Sequence, residues 1–149
     1  ELAKEFGADY VINASEETEE SIINKVMEIT QNRGADYGIE TAGKPEVIRS
    51  GFKMLRIGGK YMIFGAIYPG DNFTIDSHDL TTKCLQLFGI HNYSPIHLEK
   101  TIKLMQKARE KYPFKKLVGP TFELSKEGVE SALKAQKSRD ALRPAIIPK

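Results

Sequence analysis

The stretch Gly58-Gly59-Lys60-Tyr61-Met62-Ile63-Phe64-Gly65-Ala66 decides the fold of this 149-residue chain. A pair of glycines predicts a turn, and the apolar run that follows carries no charge after Lys60. Gly65 closes the run, and Tyr68-Pro69-Gly70 predicts a loop beyond it. A short uncharged run between turn signals is typical of a strand that is buried on both faces of a sheet.

Two segments upstream of this strand complete a supersecondary unit. Residues 45–55 carry apolar side chains at helical spacing, and residues 35–43 predict another strand. Strand, helix and strand within about thirty residues form a βαβ unit, whose two strands are parallel. Ligands of open parallel sheets bind beyond the carboxyl ends of the strands, so we expect a ligand at Thr41–Gly43 and Phe64–Ala66.

The remainder of the chain continues this alternation, which predicts a layered α/β fold. Further strands are predicted at Asp9–Asn13, Phe73–Asp76, Leu85–Ile90, Phe122–Leu124 and Ala145–Ile147. Helices are predicted at Glu1–Phe6, from Ser15 to Thr30, from Pro95 to a point before Pro113, and from Ser125 to Ala135.

Composition narrows the class of protein. A chain of 149 residues, 40% of them hydrophobic, is long enough for one domain with its own core. The formal net charge of +2 is spread over 22 basic and 20 acidic residues, which predicts neither a nucleic-acid nor a membrane partner. No signal-peptide pattern is found. The single cysteine, Cys84, excludes an internal disulfide and suits a reducing compartment, so we expect a cytoplasmic protein.

Four short motifs carry a resemblance to a known family. They are Gly34-Ala35-Asp36-Tyr37, Glu40-Thr41-Ala42-Gly43, Leu55-Arg56-Ile57-Gly58-Gly59 and Phe64-Gly65. With residues 2–9 and 138–148, they resemble the nucleotide-binding domain of the medium-chain, zinc-type alcohol dehydrogenases. The resemblance implies that residues 1–149 are the C-terminal portion of a Rossmann domain. Its doubly wound, mostly parallel sheet would lack the first two strands, because the chain contains no Gly-x-Gly-x-x-Gly fingerprint.

The resemblance also implies positions that contact an NAD or NADP cofactor. Thr41 and Ala42 match those that line the adenosine side of the dinucleotide. Phe64, Gly65 and Ala66 match those that run past the nicotinamide ring. The acidic residue that separates NAD from NADP has no match in this sequence, so both cofactors remain open.

Three further positions follow from the same resemblance. Ile90 and Asn92 match backbone positions that, with the carbonyl of Phe64, hold the carboxamide of the nicotinamide. Main-chain groups orient a hydride donor without adding a titratable side chain. Arg143 matches the basic residue that reaches the pyrophosphate, where a guanidinium pairs with two oxygens.

The complete enzymes of the resembled family oxidise a small-molecule alcohol on zinc, and the resemblance places the zinc ligands outside this chain. His78, His91 and His97 show no metal-ligand spacing with Cys84, so we expect no metal site and no catalytic residue here. We expect Cys84 to face the packed interior. Glu40 stands within an apolar strand, where a buried carboxylate needs a partner.

The resemblance further implies a homodimer. Phe73, Thr74, Ile75 and Asp76 match the segment that pairs across the two-fold axis in dimers of the family. A sheet without its first strands also leaves the strand around Ile39 with an open edge, which promotes association. Either the Asp9–Asn13 strand moves in beside it, or a partner chain covers it.

Two other functions remain open from the sequence. A methyltransferase-like Rossmann domain also places a strand after a Leu-Arg-x-Gly-Gly pattern, but such folds end in an antiparallel pair of strands. A non-catalytic dimerisation or binding module is the second alternative.

Overall fold

The computed structural model describes residues 2–65, 69–70, 72–138 and 142–148. Two compact units divide the chain: a central unit, Ile12–Tyr93, and a terminal unit, Glu1–Val11 with Ser94–Lys149. The elements in chain order are α1 (Leu2–Glu5), α2 (Glu19–Ile29), β1 (Ala35–Glu40), α3 (Pro45–Met54), β2 (Leu55–Ile63), α4 (Ser77–Thr82), β3 (Gln86–Gly89), α5 (Pro95–Ala108), a 3₁₀ turn (Phe114–Leu117), β4 (Thr121–Glu123), α6 (Lys126–Ser138) and β5 (Ala145–Ile147). Within the described ranges, no helix has both the length and the hydrophobicity of a membrane span.

The central unit is built on a parallel three-stranded sheet in the order β1-β2-β3. Its core consists of Ile48, Phe52, Leu55 and Tyr61, which join α3 to β2. Pro45 begins α3, a position where the missing N–H of proline costs nothing. The predicted βαβ unit is therefore confirmed, and with it the Rossmann-like α/β class.

Gly58 and Gly59 lie within β2 rather than in a turn before it. Ala35 of β1 pairs with Leu55, but Tyr37 pairs with Lys60, so β2 carries extra residues between the two pairs. Gly58 adopts a φ of 71°, a left-handed conformation that favours glycine at such a bulge. The predicted glycine turn is wrong, because the strand bulges here and resumes its pairing.

Two predicted strands are wrong among the described residues. Residues 9–13 form no strand, and the exposed Tyr10 and Val11 show that no neighbouring strand covers this segment. Phe73–Asp76 forms none either: Phe73 packs its ring 6.0 Å from that of Phe52, measured between centroids. The apolar side chains of this segment pack against the core of their own unit, so the segment is not an edge strand of the sheet.

Helix α2 begins four residues later than predicted. The side chain of Thr18 accepts a hydrogen bond from the N–H of Ser21 and caps the helix. Ser15 instead bonds through both its N–H and its hydroxyl to Asn13 Oδ1, which makes a local turn. Thr18 therefore caps the helix, and Ser15 lies in the turn before it.

The terminal unit has a parallel pair, β4 with β5, beside α6. Phe6 after α1 stacks its ring on Tyr112, with centroids 5.9 Å apart, and meets the edge of Phe114. Gly7 has a φ of 91°, a left-handed conformation typical of the glycine that follows a helix. Ser125 caps α6 by accepting the N–H of Gly128, as its position in the sequence predicts.

Candidate functional site

Backbone hydrogen bonds join the carboxyl ends of the three central strands. The N–H of Phe64 donates to the carbonyl of Glu40 at 2.9 Å, and the N–H of Ile90 donates to the carbonyl of Ile63 at 3.1 Å. The parallel register pairs Glu40 with Ile63 and Ile63 with Gly89. The residues that follow each strand therefore start side by side at one edge of the sheet.

Gly65 allows the β1 and β2 tips to approach each other. A Cβ on Gly65 would lie 2.2 Å from the nitrogen of Gly43 and 2.7 Å from the carbonyl carbon of Thr41. Gly43 itself has a φ of 69°. Both positions thus need glycine for the backbone to follow this path. The sequence associated these residues only with ligand contact, whereas the structure shows that they also allow close packing.

Glu40, the last residue of β1, is only 2% exposed. Its Oε1 accepts the backbone N–H of Gly43 at 2.6 Å, which draws the segment after the strand back over the strand end. Its Oε2 is buried and has no hydrogen-bond partner among the described residues. The sequence predicts that this carboxylate needs a partner. Among the described residues, Oε1 has one and Oε2 has none.

A cleft of about 350 Å³ lies along β1 and α3 and includes Glu40 and Tyr61 in its lining. The Tyr61 side chain fills the space left by two glycines. A Cβ on Gly38 would lie 2.4 Å from a ring carbon of Tyr61, and a Cβ on Gly51 would lie 1.9 Å from its hydroxyl oxygen. Burial raises the pKa of the Tyr61 hydroxyl to about 12, and the negative charge of Glu40 adds to the effect. The Tyr61 ring and the Glu40 side chain thus both line this cleft.

Most predicted site residues lie at the edge defined by the strand ends. Thr41 and Ala42 are exposed after β1, and Phe64 is 39% exposed after β2. Asn92 is exposed after β3 with a φ of 60°, a conformation that asparagine tolerates. Ile90 is half-buried beside them.

Two predicted site residues remain, Ala66 and Arg143. Ala66 lies outside the described residues. Arg143 belongs to the terminal unit, is exposed, and accepts the N–H of Gly119 on its carbonyl at 2.7 Å.

Metal ligation finds no support in the described part of the chain. It holds no group of three or more histidine, cysteine, aspartate or glutamate side chains that would bind an ion. Cys84 is exposed, so its predicted burial is wrong. It follows α4 with a φ of 48°, and this left-handed turn takes its side chain away from the core. The described residues therefore supply no set of zinc ligands.

A family model described as "Zinc-binding dehydrogenase" matches residues 1–107. L-threonine 3-dehydrogenase from Pyrococcus horikoshii is 40% identical over 91 residues, which is 60% of this chain and 25% of that protein. L-threonine 3-dehydrogenase from Caldanaerobacter subterraneus subsp. tengcongensis is 30% identical over 147 residues, 97% of this chain and 41% of that one. The chain thus spans from a quarter to two fifths of the length of these curated relatives.

Among solved structures, an alcohol dehydrogenase from Thermotoga maritima superposes with a TM-score of 0.89 at 30% sequence identity. The match covers 99% of this chain and 40% of that structure.

Proposed function

This chain belongs to the zinc-binding dehydrogenase family, and from that premise we propose that it supplies the nicotinamide side of an NAD(P) site in an alcohol dehydrogenase. The family consists of oxidoreductases that use NAD(P) and zinc. The observation that supports the proposal is the alignment of three parallel strand ends at one edge, the location where open α/β sheets bind ligands. In this proposal residues 1–149 are the C-terminal portion of the dinucleotide-binding domain.

The adenosine side is proposed to lie on Thr41 and Ala42. Both are exposed, and no hydrogen bond among the described residues engages the Thr41 hydroxyl. That hydroxyl is therefore free to bond a ribose or a base.

The nicotinamide side is proposed to run past Phe64, Gly65 and Ala66. The carboxamide would bond to main-chain groups of Ile90 and Asn92 and to the carbonyl of Phe64, which orient it without adding a titratable side chain. The polar carboxamide of the nicotinamide would thus contact the backbone, and the ring would contact apolar side chains.

Arg143 is proposed as the pyrophosphate ligand. Its side chain is exposed and has no ion pair within the described ranges, and a guanidinium binds two phosphate oxygens at once.

The bound NAD(P) supplies hydride transfer, and the residues of this chain bind and orient it. We assign no proton transfer to this chain. We propose a small-molecule alcohol as the substrate of the whole enzyme. We propose that the zinc of the whole enzyme is held by residues outside the described part of this chain.

A homodimer through Phe73, Thr74, Ile75 and Asp76 and a cytoplasmic location complete the proposal. The exposure of Thr74 supports the homodimer, because this side chain is available for contact while Phe73 and Ile75 pack toward the core. The single cysteine supports the cytoplasmic location.

The methyltransferase alternative loses its support. All strand pairs of the described residues are parallel, whereas that fold requires an antiparallel pair. The other alternative, a non-catalytic binding module, remains open. It differs from our proposal only in whether the whole protein contains a catalytic part.

Amide NMR with two half-cofactors tests the proposed site. We expect AMP to shift the amides of Thr41 and Ala42, and nicotinamide mononucleotide to shift those of Phe64, Ile90 and Asn92. NAD should shift both sets with a dissociation constant weaker than ~1 mM, since the chain lacks the glycine-rich fingerprint that holds pyrophosphate. Shifts confined to other surfaces, or none, would contradict the proposal.

A further inference from the structure

Glu40 contacts both of the strand ends on which the adenosine and nicotinamide sites are proposed. Its backbone carbonyl accepts the N–H of Phe64 at 2.9 Å, which fastens the end of β2 to the end of β1. Its side chain accepts the N–H of Gly43 at 2.6 Å, which fastens the segment after β1. One residue therefore governs the position of both segments.

The carboxylate of Glu40 is a costly choice for a purely structural residue. The side chain is 2% exposed, and its Oε2 has no hydrogen-bond partner among the described residues. A buried polar atom without a partner lowers stability, and a charged one lowers it more. An apolar side chain of the same length would fill this space without that cost.

The hydrogen bond that Oε1 accepts gives the Glu40 side chain a role that an apolar side chain would lack. It bonds to Gly43, whose φ of 69° turns the chain sharply after Thr41 and Ala42 and leaves both exposed. The same turn brings Gly43 against Gly65, where there is no room for a Cβ. If the bond is lost, the turn is free to relax away from Gly65.

We propose that Glu40 is a positioning residue for dinucleotide binding, which holds the Thr41–Gly43 turn in the shape that receives the adenosine half. This inference rests on the proposed function. Glu40 does not touch the cofactor: its carboxylate acts through the N–H of Gly43 and stays beneath the turn.

Three substitutions separate positioning from stability. Glu40→Gln keeps an oxygen acceptor at the same reach, Glu40→Asp keeps the charge but shortens the reach, and Glu40→Met keeps the length without an acceptor. Glu46→Met is the matched control, because Glu46 is an exposed glutamate in the first turn of α3. Each variant is titrated with AMP by amide NMR, and its thermal unfolding midpoint is recorded.

We expect Glu40→Gln and Glu46→Met to bind AMP within about twofold of the wild type, and Glu40→Met and Glu40→Asp to bind on the order of tenfold more weakly. The unfolding midpoint of Glu40→Met should equal or exceed that of the wild type, so that binding and stability change in opposite directions. The Gly43 amide proton should resonate downfield in the wild type and Glu40→Gln, and move upfield in Glu40→Met and Glu40→Asp.

Two negative outcomes are distinct. If AMP leaves Thr41 and Ala42 of the wild type unshifted, the proposed function fails and the role of Glu40 fails with it. If the wild type binds AMP there and Glu40→Met binds equally well, only the positioning role is overturned. Should Glu40→Met not fold, Glu40→Asp decides the same question through its AMP affinity and its Gly43 amide shift.

Discussion

Gly65 and Gly43 are in backbone contact: a Cβ on Gly65 would lie 2.2 Å from the Gly43 nitrogen. The two glycines follow different strands of the sheet, so their contact sets the distance between the two segments proposed to bind the cofactor. Backbone atoms cannot yield as the end of a flexible side chain can. The spacing of the candidate site therefore depends on two residues that have no side chain.

We expect Gly65→Ala to lower the free energy of unfolding by about 1–3 kcal/mol, because the methyl group must displace the Gly43 backbone. Gly89→Ala is the control, since a Cβ at Gly89, at the end of β3, meets no atom within 4 Å. Urea denaturation of both variants measures the difference. Equal stability for the two would show that the strand ends have room to separate.

We expect Tyr61 to make stability depend on alkaline pH. Burial and Glu40 raise its folded pKa to about 12, whereas the unfolded value is about 10. The folded state thus prefers the neutral phenol, so this stabilisation is complete below pH ~10 and is lost as the pH rises toward ~12. Denaturation of the wild type and Tyr61→Phe between these limits measures it. The wild type should lose stability faster, and parallel curves would contradict the assignment.

Asp36 should contribute stability that disappears in acid. Arg33 donates to both oxygens of its carboxylate, and Arg56 donates a further bond at 2.6 Å. These hydrogen bonds, first that of Arg33, hold the pKa of Asp36 well below its usual range. The contribution is present above the unfolded pKa of about 3.9 and is lost as the pH falls below it.

Asp36→Asn should therefore be less stable than the wild type at pH 7, and the difference should narrow at low pH. Asp79→Asn serves as the control, because Asp79 is an exposed aspartate without an ion pair in the described structure. A difference that stays constant with pH would reject the electrostatic origin.

The proposed dimer predicts that Thr74→Arg shifts the chain toward the monomer in sedimentation. This position is exposed, so an arginine there introduces bulk and charge into an interface without disturbing the core. Ile75→Lys is unsuitable, since Ile75 packs against the core cluster. Asn72→Arg, at an exposed position two residues earlier, is the control. A wild type that sediments as a monomer at all concentrations would reject the dimer.

The purified 149-residue chain should not reduce NAD or NADP with any alcohol above background. The described residues hold no cluster that would bind zinc, and the proposal gives this chain only the task of orienting the cofactor. The assay is absorbance at the reduced-nicotinamide band with and without added zinc, and a full-length zinc-type dehydrogenase is the positive control. Zinc-dependent turnover by the chain alone would contradict the prediction.

The amino-acid sequence by itself determined the βαβ unit, the parallel sheet and the edge at which its strands end. Apolar periodicity is a local signal, and a parallel connection follows from the order of strand and helix. The family resemblance likewise depended on short motifs such as Glu40-Thr41-Ala42-Gly43, which do not require coordinates.

Only the tertiary structure decided how the details of that edge are built. Gly58 looks like a turn residue in sequence, but it serves a bulge because β1 lies opposite and resumes pairing at Lys60. Phe73–Asp76 alternates like an edge strand, yet Phe52 draws Phe73 into the core. Likewise, the burial of Glu40 and its hydrogen bond to Gly43 depend on a backbone turn. The spacing of apolar residues in the sequence does not predict that turn. Local patterns identify elements, whereas competition among neighbours for the same side chain or hydrogen bond is settled only when the chain is packed.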